Sequence, residues 1–547
     1  MEFVKFKIEG MTCDNCATGI SKKFENKKGI VNKQISYPDG SGSFTYDSAI
    51  IGKDDIAEII NSTGHYKVTG EFTDENNSVN KFSLIIIGGG SAAFSAAIKA
   101  ESLGLSTLMV NAGLNFGGTC VNVGCVPSKN LIRAAETVYR ASHSDFAAIK
   151  PKGAEIDFRQ LIKDKKKLVA SLQEKKYMDV VRDYKNLTML KGWASFKNSH
   201  TIVVDGEEYN GSKFLIATGA VTNIPDIEGI HETNYLTNIT LFDLEEKPES
   251  LTIMGAGYIG LEIAMAYNRL GVKVRIMEFS DRVLRKQSPD ISAVLETQMK
   301  NEGIELLPGY RAFKLEKRGT ETIIHCKRPD GSIVKLAEKG KLVIATGIKA
   351  NTQKLKLQNI GLKITENGHV AVNDKMETNI QNIYAAGDVA NTPSYVYTAA
   401  YEGKIAVENA FAGSAKQADY TSLPWVVFTD PQVAGAGLDE VEAEAQNIPF
   451  EVSKLALKEV PRAIAANDTR GFIKLIRNKE TDRLIGARVV APEGGELIQQ
   501  LSMAIKYGIT IGELAESLYP YLTLGEGIKL AAITFGKDVS KLSCCAS

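Results

Sequence analysis

The stretch Ser83-Leu-Ile-Ile-Ile-Gly88-Gly-Gly90-Ser-Ala-Ala93 decides the fold of most of this chain. Its apolar run predicts a buried strand, its glycines a tight turn, and the alanines the start of a helix. The stretch Leu251-Thr-Ile-Met-Gly255-Ala-Gly257-Tyr-Ile-Gly260 repeats this order. Each is followed by a second apolar strand, Thr107–Val110 and Lys273–Met277. Strands that alternate with helices predict parallel α/β sheets.

The glycines of both stretches are typical of sites that bind the pyrophosphate of a dinucleotide. The first glycine permits the turn, the second lets the backbone approach the phosphates, and the third packs the helix on the strand. Two such sites in one chain predict a flavin and a nicotinamide that work together. A structural turn without a ligand is the alternative. The predicted cofactor-binding residues are Gly88, Gly90, Ala93, Gly255, Gly257 and Gly260.

The residue that ends each second strand should bind a ribose hydroxyl. The first strand ends at Asn111, where an acidic residue is expected, and the second ends at Glu278. A carboxylate at Glu278 favours NADH and would repel the 2′-phosphate of NADPH. Arg282 and Arg285 follow closely and could bind that phosphate, so this reasoning leaves the coenzyme preference open.

Six of the seven cysteines occur in three pairs, which in a reducing compartment predicts metal binding or redox catalysis. The stretch Gly117-Gly-Thr-Cys120-Val-Asn-Val-Gly-Cys125-Val-Pro-Ser-Lys129 follows the first glycine turn directly. Two sulfurs this close in sequence can cycle between dithiol and disulfide, because closing the loop costs little chain entropy. A pair of buried free thiols is the alternative.

The N-terminal residues 1–70 read as a separate βαββαβ unit, the ferredoxin-like order of elements. Cys13 and Cys16 lie in Met-Thr-Cys-Asp-Asn-Cys, where a loop enters a helix. Thiolates select soft metal ions, and a helix N-terminus favours the thiolate. The sequence therefore predicts a metal site, with a redox dithiol as the alternative. Residues 71–81 read as a flexible linker.

The charge balance and the apolar segments of the chain argue against several classes of protein. Lys+Arg and Asp+Glu both number 65, so the net charge of +0 argues against a nucleic-acid partner. The most apolar region, Leu84–Ile98, is too short to span a bilayer, and the N-terminus lacks the apolar run of a signal peptide. We therefore expect a cytoplasmic protein without a membrane span.

The segment around Cys120 and Cys125 is similar to the active-site motif of the pyridine nucleotide–disulfide oxidoreductases, and the resemblance extends from Phe82 to the C-terminus. Residues 1–70 resemble a heavy-metal-associated domain. The family implies an α/β fold with two Rossmann-like domains and an α+β dimer-interface domain, in a homodimer whose subunits share each active site. The implied domains are FAD-binding at 82–220 and 348–420, NAD(P)-binding at 221–347, and dimer interface at 421–547 with a Cys-Cys tail.

The resemblance also implies roles for individual residues. Lys129 and Glu262 match an ion pair near the flavin ring, and Asp388 matches the residue that holds the ribityl chain. The family implies NADPH as the coenzyme. The other FAD-binding residues that it implies are Asn111, Gly118, Thr119, Ala194, Thr218 and Gly219.

One position departs from the disulfide-reducing members of the family, which protonate the leaving thiolate with a histidine before a proline near the C-terminus. Here Tyr519 precedes Pro520, and all six histidines lie at or before His369. A tyrosine, with a pKa ordinarily near 10, is a poor proton donor at neutral pH. We therefore expect the substrate not to be an organic disulfide.

The three cysteine pairs and this tyrosine are similar to the family members that reduce mercuric ion. That resemblance implies Hg(II) as substrate, delivered by small thiols or other metal-handling proteins. Hg(II) would pass from Cys13/Cys16 to Cys544/Cys545 and then to Cys120/Cys125, with Cys125 beside the flavin. Tyr258 and Tyr521 match tyrosines near the nicotinamide and the metal, with simple packing as the alternative. Cys326 is expected to be a buried bystander.

Two other functions remain open at this point. One is a thioredoxin- or glutathione-type disulfide reductase, which would need the missing histidine and leaves Cys13/Cys16 unexplained. The other is a metal chaperone whose reductase core is vestigial, against which the intact glycine and cysteine motifs argue.

Overall fold

The computed structural model describes residues 2–71 and 80–537. The chain divides into a small unit, residues 1–81 with 208–210, and a large unit, residues 82–207 with 211–547. None of the helices in the described ranges has the length and apolar composition that crossing a bilayer demands. Most of the linker predicted at 71–81 lies outside the described residues.

The small unit has the predicted βαββαβ order, and its antiparallel sheet has the strand order β2-β3-β1-β4. Alternation along β1 sends Val4, Phe6 and Ile8 into the core. Phe44 is fully buried, with its ring 4.7 Å from that of Phe24. The elements are β1 (Glu2–Glu9), α1 (Asp14–Lys23), β2 (Ile30–Ser36), β3 (Ser41–Tyr46), α2 (Lys53–Asn61) and β4 (Lys67–Glu71).

The large unit begins with the first strand–turn–helix stretch and the cysteine segment. Its elements up to the first Ala-Thr-Gly are β5 (Lys81–Ile87), α3 (Ser91–Ser102), β6 (Thr107–Asn111), α4 (Gly118–Asn122), α5 (Cys125–Ser142), α6 (Phe158–Gln173), a π-helical turn (Glu174–Met178), α7 (Asp179–Val181), β7 (Leu187–Lys191), β8 (Ala194–Asn198), β9 (Thr201–Val204) and β10 (Glu207–Ile216).

The second glycine stretch lies in the middle of the large unit. The elements there are β11 (Ala220–Thr222), α8 (Asn238–Leu241), β12 (Ser250–Met254), α9 (Tyr258–Arg269), β13 (Lys273–Glu278), α10 (Pro289–Asn301), β14 (Glu305–Pro308), β15 (Arg311–Arg318), β16 (Glu321–Lys327), β17 (Ile333–Glu338), β18 (Lys341–Ile344) and β19 (Ile348–Ala350).

The C-terminal part of the large unit returns to the first sheet and then forms a sheet of its own. Its elements are β20 (Ile383–Ala385), α11 (Val396–Phe411), β21 (Trp425–Val427), β22 (Gln432–Gly437), α12 (Glu440–Ala445), β23 (Phe450–Ala456), α13 (Pro461–Ala465), β24 (Phe472–Asn478), β25 (Leu484–Ala491), α14 (Gly494–Lys506), α15 (Ile511–Glu516) and α16 (Glu526–Ile533). Short 3-10 turns lie at Ile230–Glu232, Leu357–Ile360 and Leu457–Glu459.

Three larger sheets organise the unit. The first has the order β7-β6-β5-β10-β9-β8 and gains β20 as a parallel partner of β10, so two distant parts of the chain share one sheet. The second, β14-β13-β12-β18, is parallel throughout. The third, β21-β22-β25-β24-β23, is antiparallel and packs with helices in an α+β arrangement, as the sequence predicted.

The two glycine turns are built alike. Gly88 has φ +134° and Gly255 has φ +108°, a region in which a side chain is strained. A Cβ at Gly88 would collide with the carbonyl oxygen of Ala217, and one at Gly255 with that of Ala345. These alanines begin the two Ala-Thr-Gly segments, so the backbone of each segment lies directly against its glycine turn.

The threonines of the two segments also make equivalent hydrogen bonds between the two parts of the chain. Thr218 donates to the carbonyl of Asn351 at 2.8 Å, and Thr346 donates to the carbonyl of Asn223 at 2.7 Å. Between these bonds β11 pairs antiparallel with β19. The second sheet is therefore joined to the first by a two-stranded ribbon.

This close approach predicts that Gly88→Ala is far more damaging than an ordinary alanine at positive φ. Gly104→Ala is the matched control, because Gly104 has φ +68° with no atom near its added Cβ. We expect the control to lose about 1 kcal/mol of unfolding free energy and Gly88→Ala to lose about 2 kcal/mol more. The losses are measured as decreases in the midpoint temperature of thermal unfolding. Equal midpoints would contradict the packing described.

Candidate active site

A cavity of about 750 Å³ lies between the first sheet and the antiparallel sheet. The first glycine turn, the cysteine segment, the loop after β20 and strand β21 form its walls. Predicted site residues on these walls are Gly90, Thr119, Cys120, Cys125, Lys129, Gly219 and Asp388. The structure thus brings together residues that span some 300 positions of sequence.

Cys120 and Cys125 face each other across the junction of α4 and α5. Cys125 is the first residue of the 18-residue helix α5, whose N-terminus favours a negative charge. The hydrogen bond from Cys120 lowers the pKa of Cys125 to about 7, and the nearby charge of Lys129 acts in the same direction. The same hydrogen bond raises the pKa of Cys120. The pair is therefore a thiol that donates to a thiolate.

Lys129 and Glu262 form the ion pair that the family resemblance implied. The Lys129 Nζ lies 2.7 Å from the Glu262 Oε2, and it also lies 4.6 Å from the ring centre of Phe428. Glu262 is buried on α9, where its Oε1 accepts from the Phe428 amide at 3.0 Å. Both carboxylate oxygens are thus occupied, and the lysine charge is fixed one helical turn from Cys125.

Aromatic residues that sequence reasoning missed complete the walls. Tyr397 lies close enough to Cys125 for its pKa to be raised by that sulfur's charge, after burial as the larger cause. Its hydroxyl donates to the carbonyl of Pro424 at 2.5 Å. The ring of Tyr395 stacks on that of Tyr397 at 5.3 Å. The Tyr-Val-Tyr alternation at the start of α11 was the one local signal for them.

The first glycine turn fits a flavin dinucleotide. A Cβ at Gly118 would lie 2.6 Å from the Cα of Gly90, so the two backbones touch and leave an amide-lined cradle. Asn111 packs against Gly89 and donates to the carbonyl of Leu114 at 2.8 Å, which keeps its side-chain oxygen as an acceptor.

Asp388 faces the same cavity from the loop after β20, and burial raises its pKa. The loop is held by Glu402, a fully buried carboxylate that accepts from the Gly387 amide at 2.6 Å. A carboxyl placed here can bind hydroxyl groups of a chain that lies along the cavity. The cradle, the cavity and this carboxyl together fit FAD.

The other residues predicted to bind FAD lie behind the cavity walls. Gly88, Ala93 and Gly118 form or support the turn, and Thr218 is engaged with Asn351. Ala194 is buried at the start of β8 and does not line the cavity.

The second glycine turn has the matching form of a nicotinamide dinucleotide site. Gly257 precedes the first residue of α9, and Gly260 packs so tightly on Gly255 that a Cβ would collide with its carbonyl. Glu278 ends β13 beside the turn and accepts from the Ala256 amide at 2.6 Å. Backbone amides at the turn and a carboxylate at the end of the second strand are the arrangement typical of dinucleotide sites.

Tyr258 is the first residue of α9, directly after the second glycine turn. It is half-buried, its ring stacks on Trp425 at 5.8 Å with the planes 18° apart, and its hydroxyl accepts from Gln287 at 3.3 Å. Trp425 lines the cavity, whereas Tyr258 does not. Trp425 was not singled out from the sequence, because it arrives from a strand 167 positions away.

Tyr519 is half-buried in the apolar core of the antiparallel sheet, and burial raises its pKa. Of the described residues that line the cavity, none is a histidine. Tyr521 is about half exposed and lies outside the cavity of its own chain.

In the small unit, Cys13 caps α1 and Cys16 lies in its first turn, with the two sulfurs 3.8 Å apart. Hydrogen bonds from the side chain and the amide of Thr12, each 3.5 Å, and one from Tyr66 lower the pKa of Cys16 to about 6. No group of three or more His, Cys, Asp or Glu side chains in the described ranges could hold a metal. The two sulfurs alone suit an ion that accepts two soft ligands rather than four-coordinate zinc.

Of the remaining cysteines, Cys544 and Cys545 lie outside the described residues. Cys326 is fully buried in β16 and does not line the cavity, as the sequence led us to expect.

Comparison with protein families gives three matches along the chain. Residues 82–403 match the pyridine nucleotide-disulphide oxidoreductases, residues 423–532 the dimerisation domain of that family, and residues 5–65 the heavy-metal-associated domain. The chain therefore carries a reductase core, a dimerisation domain and a metal-binding type of domain.

Curated relatives align over the whole chain. A mercuric reductase of Lysinibacillus sphaericus is 39% identical over 100% of both chains, and one of Staphylococcus aureus is 38% identical over 99% of both. Among solved structures, the Cu(II) complex of the HOCl-induced flavoprotein disulfide reductase RclA from Escherichia coli has a TM-score of 0.75 and 27% identity, covering 84% of this chain and 100% of that one. The chain belongs to the mercuric reductases, within the pyridine nucleotide-disulphide oxidoreductase family.

Proposed function

We propose that the protein reduces thiol-bound Hg(II) to elemental mercury with electrons from NAD(P)H, by way of FAD and the Cys120/Cys125 pair. The overall reaction is Hg(SR)₂ + NAD(P)H + H⁺ → Hg⁰ + NAD(P)⁺ + 2 RSH. The observation that carries the proposal is the thiolate–thiol pair on the cavity wall beside the Lys129–Glu262 ion pair. Full-length similarity to mercuric reductases supports the choice of metal.

The residues of the chain bind and hold the metal. Bound FAD and NAD(P)H supply the electron pair. The two sulfurs displace the two external thiolates from the metal, Cys120 as the exchanging thiol after losing its proton and Cys125 as the thiolate beside the flavin. Because every exchange replaces one sulfur by another, the metal always keeps soft ligands.

The same residues argue against an organic disulfide as substrate. Splitting a disulfide releases a thiolate that must be protonated, whereas transfer of a metal between thiolates needs no general acid. Burial raises the pKa of Tyr519, so this tyrosine cannot provide the proton near neutral pH. The tyrosine before Pro520, where the disulfide-reducing members of the family carry a histidine, thus supports a metal substrate.

The route of the metal extends the proposal. Cys13/Cys16 or small thiols would collect Hg(II) and pass it to Cys544/Cys545, which would deliver it to Cys120/Cys125. The dimerisation domain at 423–532 supports a homodimer, in which we expect the tail to serve the partner's site and Tyr521 to lie near the metal. The cytoplasm, where thiols stay reduced, is the compartment that this chemistry requires.

We predict mercury-dependent NAD(P)H oxidation and release of volatile mercury by the FAD-loaded dimer under excess thiol, with no turnover of glutathione disulfide. The double variant Cys544→Ala/Cys545→Ala should lower turnover of tightly chelated Hg(II) at least about 10-fold, because exchange into the cavity loses its relay. Turnover is followed by NAD(P)H absorbance and by trapping the metal vapour.

Cys326→Ser is the matched control, since that buried sulfur lies outside all three pairs and should leave turnover unchanged. Unchanged turnover in the tail variant would remove the tail from the route. Turnover with a disulfide alone would overturn the proposed substrate.

The charge of Lys129 should add to the hydrogen bond from Cys120 in lowering the pKa of Cys125. In the reduced holoenzyme we expect alkylation of Cys125 by iodoacetamide to be half-maximal near pH 7 and to fall as the pH falls, since only the thiolate reacts. Lys129→Met should move this midpoint upward by about one pH unit. Arg133→Met, which removes an exposed charge from the same helix, should not, and a shared shift would contradict the local pairing.

The small unit offers the same test at its own pair. Alkylation of Cys16 should be half-maximal near pH 6, and Thr12→Val should raise the midpoint because a hydrogen bond to the thiolate is lost. Thr18→Val is the control, because the Thr18 hydroxyl donates to the Asp14 carbonyl and not to sulfur. A midpoint that stays the same in Thr12→Val would show that the threonine hydroxyl does not tune this site.

A further inference from the structure

We propose that the nicotinamide site selects NADH over NADPH, and that Glu278 sets this preference. The inference departs from the coenzyme that the family resemblance implied. It deepens the proposed function, since it rests on a reduced nicotinamide as the electron donor, but it does not depend on mercury as the acceptor.

Glu278 is fixed at the rim of the second glycine turn. Its Oε2 accepts from the Ala256 amide at 2.6 Å, and its Oε1 accepts from the Ser280 amide at 2.7 Å. Ala256 follows the first glycine of the turn, so the carboxylate lies at the end of β13 where a dinucleotide places its adenosine ribose. Two backbone bonds prevent the carboxylate from turning away from a ligand.

A carboxylate in this position distinguishes the two coenzymes by charge and by hydrogen bonding. The 2′- and 3′-hydroxyls of NADH can both donate to it. The 2′-phosphate of NADPH has no comparable donor and adds about two negative charges beside a fixed one. Because Glu278 is half-buried, solvent screens this repulsion only in part.

Two arginines of this region already contact other groups. The Arg282 guanidinium already donates to the carbonyls of Arg285 and Gln287, at 3.0 and 3.4 Å, and pairs with Asp281 at 3.3 Å. The Arg311 guanidinium is stacked on the ring of Phe279 at 4.1 Å.

Two further cations belong to the same loop. Arg285 and Lys286 are exposed, where solvent and salt weaken their attraction for a phosphate. The fixed carboxylate of Glu278 is therefore the charged group that has the strongest electrostatic effect on a ligand at this position.

The test measures binding to the FAD-loaded enzyme without mercury. Isothermal titration with ADP-ribose and with 2′-phospho-ADP-ribose compares ligands that differ only in the phosphate. We expect ADP-ribose to bind at least about 10-fold more tightly, with a smaller difference at high salt. Equal binding, or tighter binding of the phosphorylated ligand, would overturn the proposal.

Glu278→Gln tests the residue itself. The neutral side chain should bring the two affinities to within about 3-fold of each other, mainly by improving binding of 2′-phospho-ADP-ribose. Glu305→Gln is the matched control, because Glu305 lies on the adjacent strand β14 and pairs with Arg275 at 2.7 Å. It should leave the ratio unchanged.

The ratio of the two affinities separates selection from a structural role. If Glu278 only held the loop, Glu278→Gln would weaken both ligands equally and leave the ratio as it was, which would refute the assignment. Because mercury takes no part, a failure of mercury turnover would leave this result standing, and the reverse is equally true.

Discussion

A negatively charged sulfur on the wall of a half-buried cavity is the condition on which the chemistry of this fold depends. Burial alone would neutralise Cys125 by raising its pKa. The hydrogen bond from Cys120 and the charge of Lys129 outweigh that effect. Lys129 in turn remains in place because Glu262, buried on a helix of the second sheet, holds it at 2.7 Å. The acidity of one thiol thus depends on contacts between two sheets.

The second constraint is steric. Each nucleotide site needs a strand, a glycine turn and a helix so close together that a single Cβ would meet a carbonyl of the neighbouring Ala-Thr-Gly segment. The glycines at 88 and 255, and the alternation of apolar strands with helices, can both be recognised in short stretches of the sequence. This is why the sequence predicted both sheets and both turns, and why the cysteine segment could be placed next to the first of them.

Other parts of the site had no such local signature. Trp425 lies in the strand that opens the antiparallel sheet and Phe428 directly follows that strand, and both reach the cavity only through tertiary packing. Glu402 holds the loop before Asp388 from the middle of a helix, where nothing in the neighbouring residues marks it. Glu278 was predicted from the sequence as a ribose ligand, and that role stays a prediction. Its two backbone bonds, and the carbonyls that accept from Arg282, could only be seen in three dimensions. The domain limits and the roles of single residues remain predictions.

The ribbon of β11 and β19 has a mechanical consequence. Thr218 and Thr346 donate to carbonyls at its opposite ends, so the second sheet is attached to the first by two strands that are bonded to each other. Sliding one of these strands past the other would break the hydrogen bonds between them. The ribbon therefore opposes shear between the two sheets more strongly than a single connecting strand would.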